Sequence, residues 1–225
     1  MIPVLLDDKG FLVVDKPAGL SVIPERPRPG PCVLTCLTEQ GLGRLYVVHR
    51  LDKEVSGVLL LAREPASHRY LNDLFSGRQV AKTYLALVHG HVPKDQGAIE
   101  LPIRQFGSGR MGVAPEGKPS LTHYQVLKRM ERFTVLVVRP STGRRHQIRV
   151  HLYALGHPIV GDLRYGDKQA QQGFSRLMLH ARAIAFQAPD TRPISVEAPI
   201  PNPMGDLLYA EGTTMSITPH TSNPS

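Results

Sequence analysis

Asp52 is the residue of this chain whose surroundings most favour chemistry. It stands in VVHRLDKEVSGVLLLA, residues 47–62, where two apolar segments flank a short run of ionisable positions that includes Arg50 and Lys53. An aspartate held at a strand edge beside positive charges stays ionised, and an ionised carboxylate can act as a nucleophile or a base. An aspartate that only caps a surface turn explains the same pattern, so the sequence leaves both interpretations open.

A second segment, RPSTGRRHQIRVHLYALGHPIVGDLRYG at 139–166, is rich in arginine. The helix start beside Gly143 offers backbone N–H groups that can bind a phosphate. Arg149 differs from the other arginines because apolar residues flank it on the helix, and a partly buried arginine needs a carboxylate partner. We expect Asp52 to be that partner. The four arginines at the start of the segment are Arg139, Arg144, Arg145 and Arg149.

The positive charge of the chain is concentrated in one stretch. The net charge is +8, and residues 101–150 alone contain ten Lys or Arg against two Asp or Glu. This distribution predicts a polyanionic partner, and nucleic acid is favoured over a membrane because no lipid-anchor motif or basic amphipathic helix accompanies it. A protein with a positive face and no such partner is the alternative.

Several classes of site have no matching pattern. Neither GxxxxGK[ST] nor GxGxxG opens a helix after a strand, so a nucleotide-cofactor loop is not expected. Cys32 and Cys36 are spaced one residue too far apart for the cysteines of a zinc base deaminase, and no His-x-Glu precedes them. Two cysteines in 225 residues are expected to be reduced. The start of the chain, MIPVLLDDKG, has no basic leader, and we expect a cytoplasmic protein without a membrane span or a metal.

The elements that must position these residues follow from apolar runs and turn signals. Strands outnumber helices and often follow one another directly, which indicates an α+β fold with a mixed, largely antiparallel sheet. A Gly- and Pro-rich connection over 107–119 is predicted to be a mobile loop. The predicted strands are 11–14, 46–48, 57–62, 84–88, 98–103, 122–128, 133–138 and 177–186, and the predicted helices are 32–41, 65–76 and 146–155.

Four blocks in this order resemble the RluA-type pseudouridine synthases. They are DDKGFLVVDKPAGLSVIP at 7–24, VHRLDKEVSGVLLLA at 48–62, KTYLALVHG at 82–90 and TGRRHQIRVHLYALGHPIVGDLRYG at 142–166, and RLMLHA follows at 176–181. The resemblance implies the pseudouridine synthase catalytic fold, with a central sheet flanked by helices. It also implies a single catalytic domain over 1–212 without an amino-terminal S4-like module. Residues 213–225 are expected to be a disordered tail.

The resemblance also assigns roles to individual residues. Asp52 matches the catalytic aspartate, and Tyr84 matches the active-site tyrosine that stacks on the target base. Arg149 matches the basic residue that pairs with the aspartate and keeps it ionised. Arg50 resembles the arginine that enters the RNA where the target uridine has left the stack, and Leu179 falls where the family has an apolar residue under the base. The chain departs from the family pattern at two other positions, Val55, where threonine is usual, and Arg145, where threonine or serine is common.

The implied reaction is the isomerisation of uridine to pseudouridine in ribosomal or transfer RNA, with base flipping and without a cofactor. RNA is the expected partner, no protein partner is required, and a monomer is expected. A catalytically inactive RNA-binding protein of the same fold is one alternative. A hydrolase that uses Asp52 together with a nearby histidine such as His49 is another.

Overall fold

The structure is a computed structural model that describes residues 1–25, 27 and 30–209. The predicted tail over 213–225 lies outside the described residues. The described chain falls into two compact units. The first unit contains Met1–Lys82 and His180–Asn202, and the second contains Thr83–Leu179 and 203–209. The assignment of 1–212 to one catalytic domain stays a prediction.

The described residues form twelve strands and four helices, which confirms the α+β class. In chain order they are β1 Val4–Asp7, β2 Phe11–Lys16, α1 Val33–Glu39, β3 Tyr46–Val47, β4 Ser56–Ala62, α2 Pro65–Ser76, β5 Ala81–His89, β6 Gln96–Glu100, β7 Ile103–Gln105, β8 Met111–Val113, β9 Leu121–Arg129, β10 Phe133–Pro140, α3 Gln147–Ala154, β11 Leu179–Gln187, β12 Pro193–Glu197 and α4 Met204–Tyr209. No helix in this part of the chain has the length and apolar character needed to cross a membrane.

The first unit is built around β4, whose seven residues are all buried. β2 pairs with β4 in antiparallel register, β11 pairs with it in parallel register, and β1 and β12 extend the two sides. Gly57 lies in the left-handed region at φ +110°, and a Cβ there would collide with the backbone of Ala181. Glycine at this position therefore lets β11 approach β4. The core of the unit includes Phe11, Val13, Leu60, Leu71, Ile184 and Phe186.

The second unit has an antiparallel arrangement in the order β5, β10, β9, β6. A separate hairpin is formed by β7 and β8. Helix α3 packs against β8, β9 and β10. The β5–β10 pair is buried on both faces of the sheet. Leu85 and Leu87 of β5 lie on one face and Leu136 and Val138 of β10 lie on the other, and none of the four has exposed surface.

Two predictions from the sequence were wrong in this unit. The predicted strand 98–103 is divided into β6 and β7, and Pro102 between them has no N–H to donate to a strand ladder. The segment 107–119, predicted as a loop without a strand, contains β8, which pairs with β7 through Ile103↔Val113 and the two following pairs. Three further elements, β1, β12 and α4, were not predicted.

Candidate active site

The loop that bears Asp52 connects β3 to β4 in the first unit. Leu51 and Val55 are buried, with 7% and 3% of their surface exposed, whereas Arg50 is exposed and Asp52 is half-buried. The Val55 N–H donates to the Asp52 carbonyl oxygen at 3.1 Å and closes a turn. The buried side chains of Leu51 and Val55, one before and one after Asp52, therefore fix the backbone of Asp52.

Lys16, at the end of β2, binds the same loop on the carboxyl-terminal side of Asp52. Its side chain is fully buried, and its Nζ donates to the carbonyl oxygens of Pro17 at 2.8 Å, Leu20 at 2.6 Å and Lys53 at 3.0 Å. The Gly19 N–H also donates to the Lys53 carbonyl, at 2.8 Å. A buried ammonium group requires such acceptors. Lys16 therefore holds the residue that follows Asp52, a role that the sequence analysis did not assign to it.

His49 fixes the other end of the loop. Its Nε2 accepts the Leu60 N–H at 3.0 Å, and its ring stacks on Phe75 with 4.7 Å between centroids. Burial, and then the positive charge of Lys82, lower the pKa of His49 to about 3. The ring is therefore neutral, with its proton on Nδ1, and its acceptor nitrogen is occupied by the backbone. This arrangement disfavours the hydrolase alternative, in which His49 would act as a base with Asp52.

The lowered pKa of His49 predicts a pH-dependent stability. An unfolded chain, with a histidine pKa near 6.5, binds a proton that the folded chain does not bind. The contribution of His49 to the free energy of unfolding should therefore be fully present above about pH 7 and should decrease as the pH drops toward 3. Between pH 7 and pH 5 this one group is expected to remove up to about 2 kcal/mol.

Urea unfolding at pH 7 and pH 5 tests this expectation with His49→Gln, whose side-chain oxygen can accept the same N–H. The variant should lose less stability over this interval than the wild type. Burial also lowers the pKa of His151, but that contribution is common to both proteins and cancels in the difference. An equal loss in both proteins would contradict the assignment.

In the second unit, Arg149 of α3 forms a buried ion pair with Asp162. Their side chains are 4% and 0% exposed. Arg149 Nε donates to Asp162 Oδ2 at 2.8 Å, and Nη2 donates to Oδ1 at 2.9 Å. Arg149 was expected to require a carboxylate partner. Within this unit that partner is Asp162, a residue that was not predicted from the sequence. The pairing of Arg149 with Asp52 stays a prediction.

Asp162 is itself held by the backbone of its own loop. Its Oδ1 accepts the N–H groups of Arg164 at 3.0 Å and Tyr165 at 3.1 Å. Gly161 before it adopts a left-handed φ of +78°, and a Cβ there would collide with the Arg176 carbonyl. The GDLRYG sequence at 161–166 thus forms a tight loop whose carboxylate points at Arg149. The sequence contained part of the signal, a Gly-Asp pair whose aspartate lies thirteen residues after Arg149, but the folded loop is needed to choose this aspartate as the partner.

Tyr165 covers the face of the Arg149 guanidinium. The guanidinium carbon lies 5.3 Å from the ring centroid. The Tyr165 hydroxyl lies 2.7 Å from His146 Nδ1, and it accepts the Met111 N–H at 3.3 Å. Burial raises the pKa of the Tyr165 phenol. The hydroxyl therefore stays protonated and can donate a hydrogen bond to His146 Nδ1. Arg149 is therefore oriented at its edge by a carboxylate and at its face by an aromatic ring.

The five residues predicted for the site are divided between the units. Arg50 and Asp52 belong to the loop of the first unit. Tyr84, Arg149 and Leu179 belong to the second unit. Tyr84 is half-buried on β5 opposite Val138 of β10, and Leu179 is 3% exposed at the start of β11. Their roles stay predictions.

Comparisons with known proteins agree on one family. A family model for RNA pseudouridylate synthase matches residues 10–154. The chain is 40% identical over 219 residues to an uncharacterized RNA pseudouridine synthase of Zymomonas mobilis, with 92% of this chain and 97% of that protein covered. It is also 40% identical to the dual-specificity RNA pseudouridine synthase RluA of Pasteurella multocida, with 85% and 90% covered.

Further similarity extends to a ribosomal enzyme and to a solved structure. The ribosomal large subunit pseudouridine synthase C of Yersinia pestis is 38% identical, with 92% of this chain and 68% of that protein covered. The structure of human RNA pseudouridylate synthase domain containing 1 superposes with a TM-score of 0.77 at 29% identity, and 97% of each chain is covered. The similarity therefore spans both units.

Proposed function

The chain belongs to the RluA-type RNA pseudouridylate synthases, which isomerise uridine in RNA, and we propose that it modifies ribosomal or transfer RNA through the Asp52 carboxylate. The observation that best supports the role of Asp52 is the immobilised loop around it. Lys16 binds the carbonyl of the following residue, and His49 binds β4 on the preceding side. A carboxylate on such a support needs little reorganisation when it meets a substrate.

The reaction breaks the bond between ribose C1′ and uracil N1, rotates the base, and forms a bond between C1′ and C5. The hydrogen on C5 leaves as a proton, and N1 gains a proton. Atoms and electrons balance within the nucleoside and solvent, so we propose that the isomerisation proceeds without a cofactor. Asp52 enters the reaction as an anion. The target uridine must leave the helical stack to expose its glycosidic bond.

Arg149 is proposed to keep Asp52 ionised and oriented. The bidentate pair with Asp162 uses the edge of the guanidinium formed by Nε and Nη2. A second carboxylate would therefore bind at the Nη1 side, and we assign that side to Asp52. Two carboxylates on one guanidinium form charge-assisted hydrogen bonds with fixed directions, which is the geometric use of arginine over lysine.

The other three residues are proposed to hold the RNA. The Tyr84 ring would stack on the extruded uracil, and Leu179 would form the apolar floor beneath it. Arg50 is exposed, and its guanidinium would fill the space that the uridine leaves in the stack. Stacking and phosphate contacts of this kind offset the unstacking cost of roughly a few kcal/mol.

The substrate assignment rests on two relatives and on the charge distribution. One relative is named for the ribosomal large subunit and another for dual specificity. The net charge of +8 over residues 101–150 favours binding of a structured polyanion, and ribosomal and transfer RNA are both structured polyanions. We further propose that the protein acts in the cytoplasm as a monomer, without an obligatory protein partner.

Tritium release tests the proposed function. RNA is prepared from cells that lack this gene and is labelled with tritium at C5 of uridine, so that each isomerisation releases one tritium to water. The wild-type protein should release tritium from the ribosomal or the transfer RNA fraction. Binding of both fractions without release would support the alternative of an inactive RNA-binding protein.

A further inference from the structure

A cleft lies between the β7–β8 hairpin and helix α3, within the second unit. Its cavity has a volume of about 250 Å³. The hairpin forms one wall, α3 forms the other, and Tyr165 lies between them. The lining includes Arg110, Met111, Val113, Val150, Tyr153 and Tyr165. We call it the hairpin cleft.

Arg110 is placed over two aromatic rings in the hairpin cleft. Its guanidinium carbon lies 5.2 Å from the Tyr165 centroid and 5.9 Å from the Tyr153 centroid. Tyr165 is buried, but Tyr153 is 48% exposed at the mouth. An exposed aromatic ring next to a guanidinium plane is the arrangement that stacks unpaired nucleobases in RNA-binding proteins.

The outer face of the hairpin continues this character. Phe106, directly after β7, is 39% exposed, and the Arg104 guanidinium carbon lies 4.6 Å from its ring centroid. Gly112 on β8 makes room for that ring, since a Cβ at Gly112 would lie 2.8 Å from Phe106 Cε2. The hairpin therefore carries one exposed ring, Phe106, which lies in the sequence between Arg104 and Arg110.

The hairpin cleft is connected to the Arg149 pair through Tyr165. Arg149 and Arg110 both lie against the Tyr165 ring, at 5.3 Å and 5.2 Å. The hairpin is also bound to the GDLRYG loop, because Arg164 Nη2 donates to the Gly109 carbonyl at 3.3 Å and the Met111 N–H donates to Tyr165. A ligand in the cleft would therefore lie next to the residues that orient Arg149.

On the basis of the proposed function, we propose that the hairpin cleft binds one unpaired nucleobase of the substrate RNA, a nucleotide other than the uridine that is isomerised. The base stacks on Tyr153 beside Arg110, and the adjoining phosphate faces Arg110. Charge favours RNA as the occupant over an apolar protein segment, since the hairpin belongs to the stretch with a net charge of +8 and Arg110 has no carboxylate at ion-pair distance among the described residues. Arg104, by contrast, is paired with Glu116.

Steady-state tritium release and anisotropy of a fluorescein-labelled substrate RNA test this proposal. Tyr153→Ala and Arg110→Ala should each raise KM and Kd about 10-fold, while kcat stays within about 2-fold of the wild-type value. Tyr153→Phe keeps the ring and should keep the wild-type KM. Arg110→Ala should also reduce the slope of log Kd against log salt by about 1. Arg69→Ala, at an exposed position of α2 in the first unit, is the matched control and should change neither constant.

The possible outcomes separate the two proposals. If the wild type releases no tritium, the proposed function fails, and the anisotropy measurement alone decides whether the hairpin cleft binds RNA. If the wild type is active and the two alanine variants keep their KM and Kd, the hairpin-cleft proposal is overturned while the function stands. A fall in kcat at unchanged KM would overturn it in favour of a purely structural support of Arg149. A wild-type dimer in sedimentation that Tyr153→Ala converts to a monomer would overturn it in favour of a second copy of the chain.

Discussion

An Asp52→Asn variant is expected to release tritium from C5-labelled uridine at least about 10³-fold more slowly than the wild type. The substitution keeps the size and hydrogen-bonding shape of the side chain but removes the anion that the proposed mechanism requires. RNA affinity should be retained, because the variant loses a negative charge that would otherwise repel phosphate. Initial rates at saturating RNA, together with anisotropy of labelled RNA, measure the two effects separately.

Asp73→Asn provides the matched control for this experiment. Asp73 is an exposed residue of α2 in the same unit, and its substitution should change neither the rate nor the affinity. If Asp52→Asn retained more than a tenth of the wild-type rate, Asp52 would not be the reacting group. If the loss of rate came with an equal loss of RNA affinity, Asp52 would act in binding and not in the chemistry.

Local sequence signals predicted the elements that begin or end beside proline or glycine. The helix over 65–76 was predicted at its observed bounds, because proline is favoured at the first helical position and Gly77 follows the last turn. Helix α3 likewise ends one residue before the predicted Leu155. The 107–119 segment was predicted wrongly because glycine and proline mark turns in general and do not reveal whether the turn joins two paired strands.

The site was only partly accessible from the sequence, since its supports are buried polar residues with distant partners. Lys16 stands in a Lys-Pro-Ala-Gly turn, which is typical of a surface position, and nothing local predicts that its ammonium group binds the carbonyl of Lys53. For Arg149, burial and the need for a carboxylate were both predicted. The observed partner Asp162 was missed because the choice between two aspartates depends on the loop that Gly161 allows.

Asp162→Asn is expected to lower the free energy of unfolding by about 3–5 kcal/mol, because it leaves the buried Arg149 guanidinium without its bidentate carboxylate. The side-chain oxygen of asparagine can still accept the N–H groups of Arg164 and Tyr165, so the loop itself loses little. The amide group, however, can present an N–H toward Arg149, where an acceptor is needed. Urea unfolding followed by circular dichroism at pH 7 measures the change.

The exposed pair of Arg129 and Asp95 provides the comparison for this prediction. Its N–O distance is 2.7 Å, close to that of the buried pair, but the Asp95 side chain is 85% exposed. Asp95→Asn should therefore change the free energy of unfolding by less than about 1 kcal/mol, since solvent screens an exposed pair. The two substitutions thus remove carboxylates at similar N–O distances, one from a buried bidentate pair and one from an exposed single contact. A loss below 1 kcal/mol for Asp162→Asn would mean that water reaches Arg149, and the guanidinium could not then serve as the rigid support that we propose for Asp52.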